Sequence, residues 1–509
     1  MKKILSSVTA IFVCLNADSM DFSRRYRSAT EFLQNCSFSN LSRIRSSIEN
    51  LKWGMGLLEK KDNPEIVKTG EDILCECFSS LSEVPAEHKE DMHIATFLFF
   101  IAATRGHEKL LTVLITEFGL DPDEEINPEI LGRFAEKNAI DEIPFRRETH
   151  QNTTALFFAT QARNKKIVNL LLQLKANPNK ITYNNATPFV IGAATGDLEI
   201  FELLHRFGGN VDMVLDATGA TPLFMAAQEG HANIVRFILS KSRSTINLPD
   251  KVAGNTPLII AVKKNRQDVV RALLECDELE IDKTGELKRT ALQWSVNNNS
   301  LGLAGLLMNR GANPNEKFAS GTPILLFATQ YKWTAMMELL LAHGAFVNDV
   351  DDANEKITSL LVAVSHQHVD GAKLLMSWGA DLDAVGGSLD YSPLCYAVAT
   401  GNLRMVEEIL GFRRFIAHED GTIDVTKANV DLADNQGLTP VYIATQTRRG
   451  DILKALLLAG ANPNIPNDRE IFPLVLARDW GYFDMAKILI DAGADPKVKK
   501  PSKIVEVED

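Results

Sequence analysis

Apolar residues in this chain come in short paired runs from about residue 97 to residue 496. The pattern is cleanest over Gly219 to Leu239, GATPLFMAAQEGHANIVRFIL. Gly and Thr-Pro open it, a short apolar stretch ending in Ala226-Ala227 follows, then Gly230-His231, then a second apolar stretch. The spacing predicts two short helices per phrase, each with one apolar face. Anchored on the second residue of the Ala-Ala pair, the phrase recurs at Ala103, Thr160, Ala193, Ala227, Val262, Val296, Thr329, Val364, Val398, Thr445 and Arg478. Eight of the ten intervals lie within two residues of 33, a period that means a stacked array. The two long intervals hold insertions, near 121–151 and 411–434.

Each residue type in the phrase has a local reason. Thr187, Thr221, Thr256 and Thr439 precede prolines. A Thr hydroxyl accepts an orphan N–H at a helix start, and Pro fits the first helical position. Gly208, Gly311, Gly344, Gly379, Gly460 and Gly493 follow the second helix, where a left-handed residue ends it. Asn177-Pro178-Asn179, Asn313-Pro314-Asn315 and Asn462-Pro463-Asn464 open the turn into the next copy. The copies anchored at Thr160 and Val296 lack the Pro, and Asn297-Asn298-Asn299 replaces the glycine turn of the latter. These two are expected to exchange amide hydrogens faster than the copy at 219–239.

Residues 21–90 depart from the phrase. Leu41 to Leu58 and Glu65 to Leu81 carry apolar residues three and four apart, which predicts amphipathic helices capping the array. Residues 497–509 form a charged tail, expected to be disordered. Lys2 and Lys3 precede a short apolar run ending at Leu15, the outline of a secretory signal diluted by Ser6, Ser7 and Thr9. A cytoplasmic location is expected, with secretion as the alternative. The longest apolar run, Phe97 to Ala103, is too short to span a membrane.

The phrases TPLFMAAQEGHANIV at 221–235, LLMNRGANPN at 306–315, LLLAHGAFVN at 339–348 and LLLAGANPN at 456–464 resemble the ankyrin repeat. About eleven copies cover nearly four-fifths of the chain. The resemblance implies an all-α solenoid of helix–turn–helix units with projecting turns, here with a helical N-terminal extension. It also implies a concave face lined by first helices and turns, on which the two residues after the anchor meet a partner. Carried over copy by copy, these include Gln228 and Glu229, Lys263 and Lys264, Gln330 and Tyr331, and Asp479 and Trp480. Thr104 and Arg105 hold the same place in the first copy. Tyr331 and Trp480 stand out, since exposed aromatics are enriched in binding hot spots.

Charge narrows the partner. The net charge of -12 argues against nucleic acid, which calls for a basic face. Residues 61–150 hold 20 acids against 9 bases, so most of that charge sits there. Catalytic motifs are missing: no phosphate loop, no HExxH, no GxSxG. His107, His231 and His368 sit at the turn between the two helices, where a structural bond steadying that turn is expected. His366 and His368 lack the further ligands of a metal site. The six cysteines are Cys14, Cys36, Cys75, Cys77, Cys276 and Cys395, scattered as free thiols of a reducing compartment are. The resulting expectation is a monomeric protein-binding scaffold without cofactor or metal. Two alternatives remain open: a bacterial effector that binds a host protein, and an enzyme whose active site lies in residues 21–90, where Cys36, Cys75 or Cys77 would be the nucleophile.

Overall fold

The computed structural model describes residues 106–116, 119–126, 153–182, 185–351, 356–417 and 423–499, with the single residues 96, 99, 100, 102 and 103. The expected helices of 21–90, the pair Thr104 and Arg105, and Cys14, Cys36, Cys75 and Cys77 lie outside them, as does most of the tail. The chain divides into two compact units between Leu279 and Glu280. Within each unit, helix pairs stack on the pairs next in sequence.

The helix starts follow from the sequence. The hydroxyls of Thr187, Thr221, Thr256 and Thr439 accept the N–H groups of Val190, Phe224, Ile259 and Tyr442 at 3.0–3.3 Å. Each Thr is extended, and Pro takes the first helical turn. The copies without Pro are capped as well. Thr154 accepts from Phe157, and Thr290 closes a capping box with Gln293. Loss of the Pro therefore leaves no helix start open in these two copies. Thr322-Pro323 is displaced by one residue in its copy. Pro323 becomes the cap, and the Thr322 hydroxyl instead donates to the Asp351 carboxylate at 3.0 Å.

Three residues past the anchor, the backbone turns left-handed in every copy. Glycine holds the place at Gly106, Gly196, Gly230, Gly401 and Gly481. Arg163, Asn265, Asn299, Lys332, Gln367 and Arg448 hold it elsewhere, with φ between 49° and 58°. The stack demands this turn whatever residue is there.

The next residue starts the second helix, and in several copies its side chain reaches back to the preceding copy. His231 Nε2 donates to the Ala194 carbonyl at 2.9 Å, and Arg266 Nε to the Gln228 carbonyl at 3.1 Å. His368 Nε2 meets the Thr334 hydroxyl at 3.0 Å. The expectation of a bond within their own turn is thus corrected for His231 and His368: they fasten neighbouring copies together.

A second set of bonds runs through the turns. Asn315 accepts the Phe346 N–H and donates to the Gly344 carbonyl. Asn348 does the same to Asp381 and Gly379, and Asn464 to Asp495 and Gly493. Asp123, Asp282 and Asp383 fill this place with a carboxylate and accept only, from Asn177, Asn313 and Asn429.

The core of each unit lies between the helix layers. Phe189 and Phe201, both fully buried, stack at 4.5 Å in the first unit. Met336, Met337, Leu340, Leu375 and Met405 are fully buried in the second. One pair alone would leave this surface in water, at roughly 25 cal/mol per Å² of apolar area.

Among the described residues, three antiparallel strand pairs interrupt the helices. Glu125–Ile126 (β1) pairs with Thr153–Thr154 (β2), Val350–Asp351 (β3) with Ile357–Thr358 (β4), and Arg414–Ala417 (β5) with Ile423–Thr426 (β6). Residues 121–126 continue the frame, since Asp123 joins the turn ladder. The first insertion therefore enters between β1 and β2. The second insertion contains the β5–β6 ribbon, and the Arg414 guanidinium lies against Gly379 of the copy before it. Residues 418–422 of this insertion fall outside the described residues.

Candidate functional site

The two residues after each anchor end the first helices, and the candidate pairs among them differ in exposure. In the first unit Gln228 and Glu229 are half-buried, and the Gln228 amide donates to the Glu229 carboxylate at 2.9 Å. Lys263 is half-buried as well, while Lys264 is exposed. In the second unit Gln330, Tyr331, Asp479 and Trp480 are all exposed, Tyr331 to 57% and Trp480 to 50%.

Tyr331 belongs to a cluster that the frame alone does not reveal. Its ring stacks on Trp333 with centroids 4.9 Å apart and planes 20° apart. Phe327 leans on Tyr331 at 4.9 Å and on Phe318 at 4.8 Å. The Arg289 guanidinium lies over both Trp294 and Phe318, at 5.0 and 5.2 Å, and donates to the Asn297 side chain at 2.9 Å. Phe327 and Trp294 both stand two residues before their anchors. The sequence signal was there, but it reads equally as core.

Beside this cluster is a cavity of about 270 Å³. Leu326, Ile357, Leu361 and Val362 supply apolar walls, and Gln330, Asp351, Ser365, His366 and Tyr396 supply polar ones. The cavity thus joins the first helices of three successive copies to hairpin β3–β4. Of the pairs that follow the anchors, Gln330 and both members of Ser365–His366 line it. His366 Nδ1 lies 3.0 Å from the Val362 carbonyl, so in the neutral ring Nδ1 carries the proton and Nε2 is an acceptor. His368 is bonded elsewhere, in the contact with Thr334. Burial, with Lys332 adding to it, holds its ring below the usual histidine range.

Trp480 meets Tyr482 edge-on at 5.8 Å, and Arg448 lies over Tyr482 at 5.2 Å while reaching Asp484 at 3.5 Å. Trp480 therefore sits in a second, smaller aromatic group. Cys276 and Cys395 are buried free thiols; burial pushes the Cys395 thiol up to about 11 and raises Cys276 as well, which makes both poor nucleophiles. Among the described residues, no three His, Cys, Asp or Glu side chains are placed to hold a metal ion, and no helix is long and apolar enough to cross a membrane.

Comparison with known proteins gives the same picture. The family described as "Ankyrin repeats (3 copies)" matches residues 156–251, 189–286, 243–318, 292–386 and 394–500. The ankyrin repeat protein nuc-2 of Neurospora crassa is 27% identical over 241 residues, which are 47% of this chain and 18% of that protein. A putative ankyrin repeat protein of fowlpox virus is 23% identical over 332 residues, 62% of this chain and 54% of that one. The chain thus spans less than a fifth of the first relative and about half of the second. Among solved structures, the ankyrin repeat domain of Bcl-3 is similar at 26% identity with a TM-score of 0.40, over 47% of this chain and 99% of that one.

Proposed function

Since the chain belongs to the ankyrin-repeat family, we propose that it is a protein-recognition scaffold without chemistry of its own, and that its partner sits on the first-helix ends of the second unit. Ankyrin repeats are protein-interaction modules, and the partner is therefore expected to be a protein. The observation that carries the placement is exposed Tyr331 stacked on half-buried Trp333 beside the cavity. Aromatic rings give much contact area at low entropy cost, so they anchor interfaces. The stack is held from behind by Phe327, which makes it rigid before binding.

Affinity capture with the full chain, quantified by mass spectrometry, tests this. Tyr331→Ala is expected to reduce capture of the specific partner about tenfold or more, the loss of a typical hot spot. Trp480→Ala is expected to have less effect, because Trp480 lies in the separate group around Tyr482. Melting temperatures of both variants should match the parent chain. Equal capture by the parent and Tyr331→Ala would remove the reading.

A further inference from the structure

The copy anchored at Val364 departs from the frame inside its core. Seven residues after the anchor, the other copies bury a Leu, Ile, Val or Met, among them Ile200, Ile234, Met336 and Met405. Here the place is Gly371. The space it leaves is filled by the ring of His368, which a Cβ on Gly371 would overlap. His368 is only 9% exposed, and its two ring nitrogens differ. Nε2 meets the Thr334 hydroxyl of the preceding copy at 3.0 Å, while Nδ1 is buried against Gly371 with no hydrogen-bond partner. A neutral ring fits this place, with its one proton on Nε2 and a bare nitrogen at Nδ1. A charged ring carries a proton on both and leaves the Nδ1 N–H unpaired inside the core.

The frame itself does not impose this arrangement. His231 holds the same place in its copy, but it is half-buried, bonds a carbonyl that accepts from a neutral or a charged ring alike, and stands before the buried Ile234. Around His368, burial disfavours the charged ring most. Lys332, on the turn of the preceding copy, adds to this, and Asp370 of its own helix opposes it. Lys373 of the same helix pairs with Glu408 of the next copy. Glu338 on Thr334–Ala342 and Arg404 and Glu407 on Leu403–Gly411 are exposed, and Ser359–Ser365 carries no charge.

The tie to Thr334 lies at the joint of the recognition face. Thr334 follows Trp333, on which Tyr331 stacks, and the cavity beside them is walled by Leu326 and Gln330 of one copy and by Leu361, Val362 and Ser365 of the next. Resting on the recognition reading above, we infer that His368 is an acid-sensitive latch: protonation drives its ring out of the core, breaks the tie to Thr334, parts the copy of Tyr331 from the next, and so releases a partner held there. The folded state favours the neutral ring. The stability this contributes is complete above the unfolded value of about 6.5 and is lost as pH falls from there through the lowered folded value.

Hydrogen exchange of the full chain tests this, read by mass spectrometry at pH 7.5 and 5.0 and corrected for the pH dependence of exchange itself. Peptides over 326–342 and 369–377 should lose protection about fivefold or more at pH 5.0, the lower range of what an unpaired buried donor costs. The peptide over 232–241, which follows His231, should change less than twofold. His368→Phe keeps a ring on Gly371 and removes the titrating nitrogens, so the response over 326–342 should vanish. His368→Gln serves if that variant melts early. Unchanged protection in the parent chain, or the same loss in a well-folded variant, would overturn the inference. Exchange needs no partner, so its failure leaves the recognition reading to the Tyr331→Ala capture. A protein captured at pH 7.5 through Tyr331 should elute at pH 5.0 from the parent chain and stay on the His368→Phe chain. Equal elution from both would overturn the latch alone.

Discussion

The same four places in the frame read Gln228-Glu229-Gly230-His231 in the first unit and Gln330-Tyr331-Lys332-Trp333 in the second. In the first unit the frame uses all four. Gln228 holds Glu229 through its amide and Arg266 through its carbonyl. Gly230 turns left-handed beneath Arg266, and His231 ties to Ala194. In the copy of Tyr331 the frame takes only the backbone. Lys332 supplies the left-handed turn, and Trp333 starts the next helix without a side-chain cap. The side chains are released, and exposed Tyr331 stacks on half-buried Trp333. Stability and recognition thus draw on the same positions, and a copy that spends its side chains on stacking has none left for a partner.

The largest effect expected from breaking this contrast is at Gly196. A Cβ there would overlap the His231 ring, which is pinned by its bond to Ala194, and the backbone is left-handed. Gly196→Ala should cost about 2 kcal/mol, combining the left-handed penalty with a lost hydrogen bond. Urea denaturation followed by circular dichroism would measure it. A loss no larger than that of Lys332→Ala would mean that the two units use the place alike.

The opposite change sharpens the contrast. Lys332 stands at φ 58°, where a lysine is strained. Lys332→Gly should stabilise the second unit by up to about 1 kcal/mol, with gains of the same sign at Gln367→Gly. A lower urea midpoint for both variants would contradict the view that the architecture, and not the residue, imposes the turn.

The smallest effect concerns the turn ladder. Asp282 accepts the Asn313 N–H at 3.1 Å, and burial raises its carboxyl above the usual aspartate range, the Asn313 bond opposing this and Glu316 adding to it. A raised folded-state value favours the protonated form. The stability it contributes is therefore complete below the unfolded value of about 3.9 and is lost as pH rises through the raised folded value. Asp282→Asn should melt slightly higher than the parent chain at pH 7, since an Asn there can bond as Asn348 does. The gap should close as pH falls toward 4. A gap that is constant or widens in thermal melts between pH 7 and pH 4 would refute the ladder account.

Much of the fold was legible because its signals are local. A Thr hydroxyl caps a helix three residues away, and a glycine ends one within a turn; such rules act inside a few residues. The expectations at Thr221, Thr439, Gly344 and Gly460 hold for that reason. The left-handed turn was only half legible. Glycine marks it in five copies, but Arg163, Asn265, Asn299, Lys332, Gln367 and Arg448 adopt it against their preference. The Asn-Asn-Asn segment at 297–299 looked like a flaw and is the same turn in other residues. The β5–β6 ribbon was missed because four-residue strands inside a mixed insertion carry no period that a short window detects.

The candidate site was less legible. Tyr331 stood out as an aromatic at an exposed place in the frame, but Trp333, Phe327, Phe318 and Arg289 did not. Each alone reads as a core or turn residue.

The sequence by itself determined the period, the helix pairs, their caps and the family, because each repeats and rests on contacts within a few residues. Only the tertiary structure decided which side chains the stack consumes and which it leaves free. His231 meets Ala194 across 37 residues, and Thr334 meets His368 across 34. The cavity forms from Leu326, Leu361 and Tyr396, each about one copy apart. Such contacts depend on how one copy lies on the next, and stacking is where a repeat with a nearly constant frame acquires a face that differs from place to place.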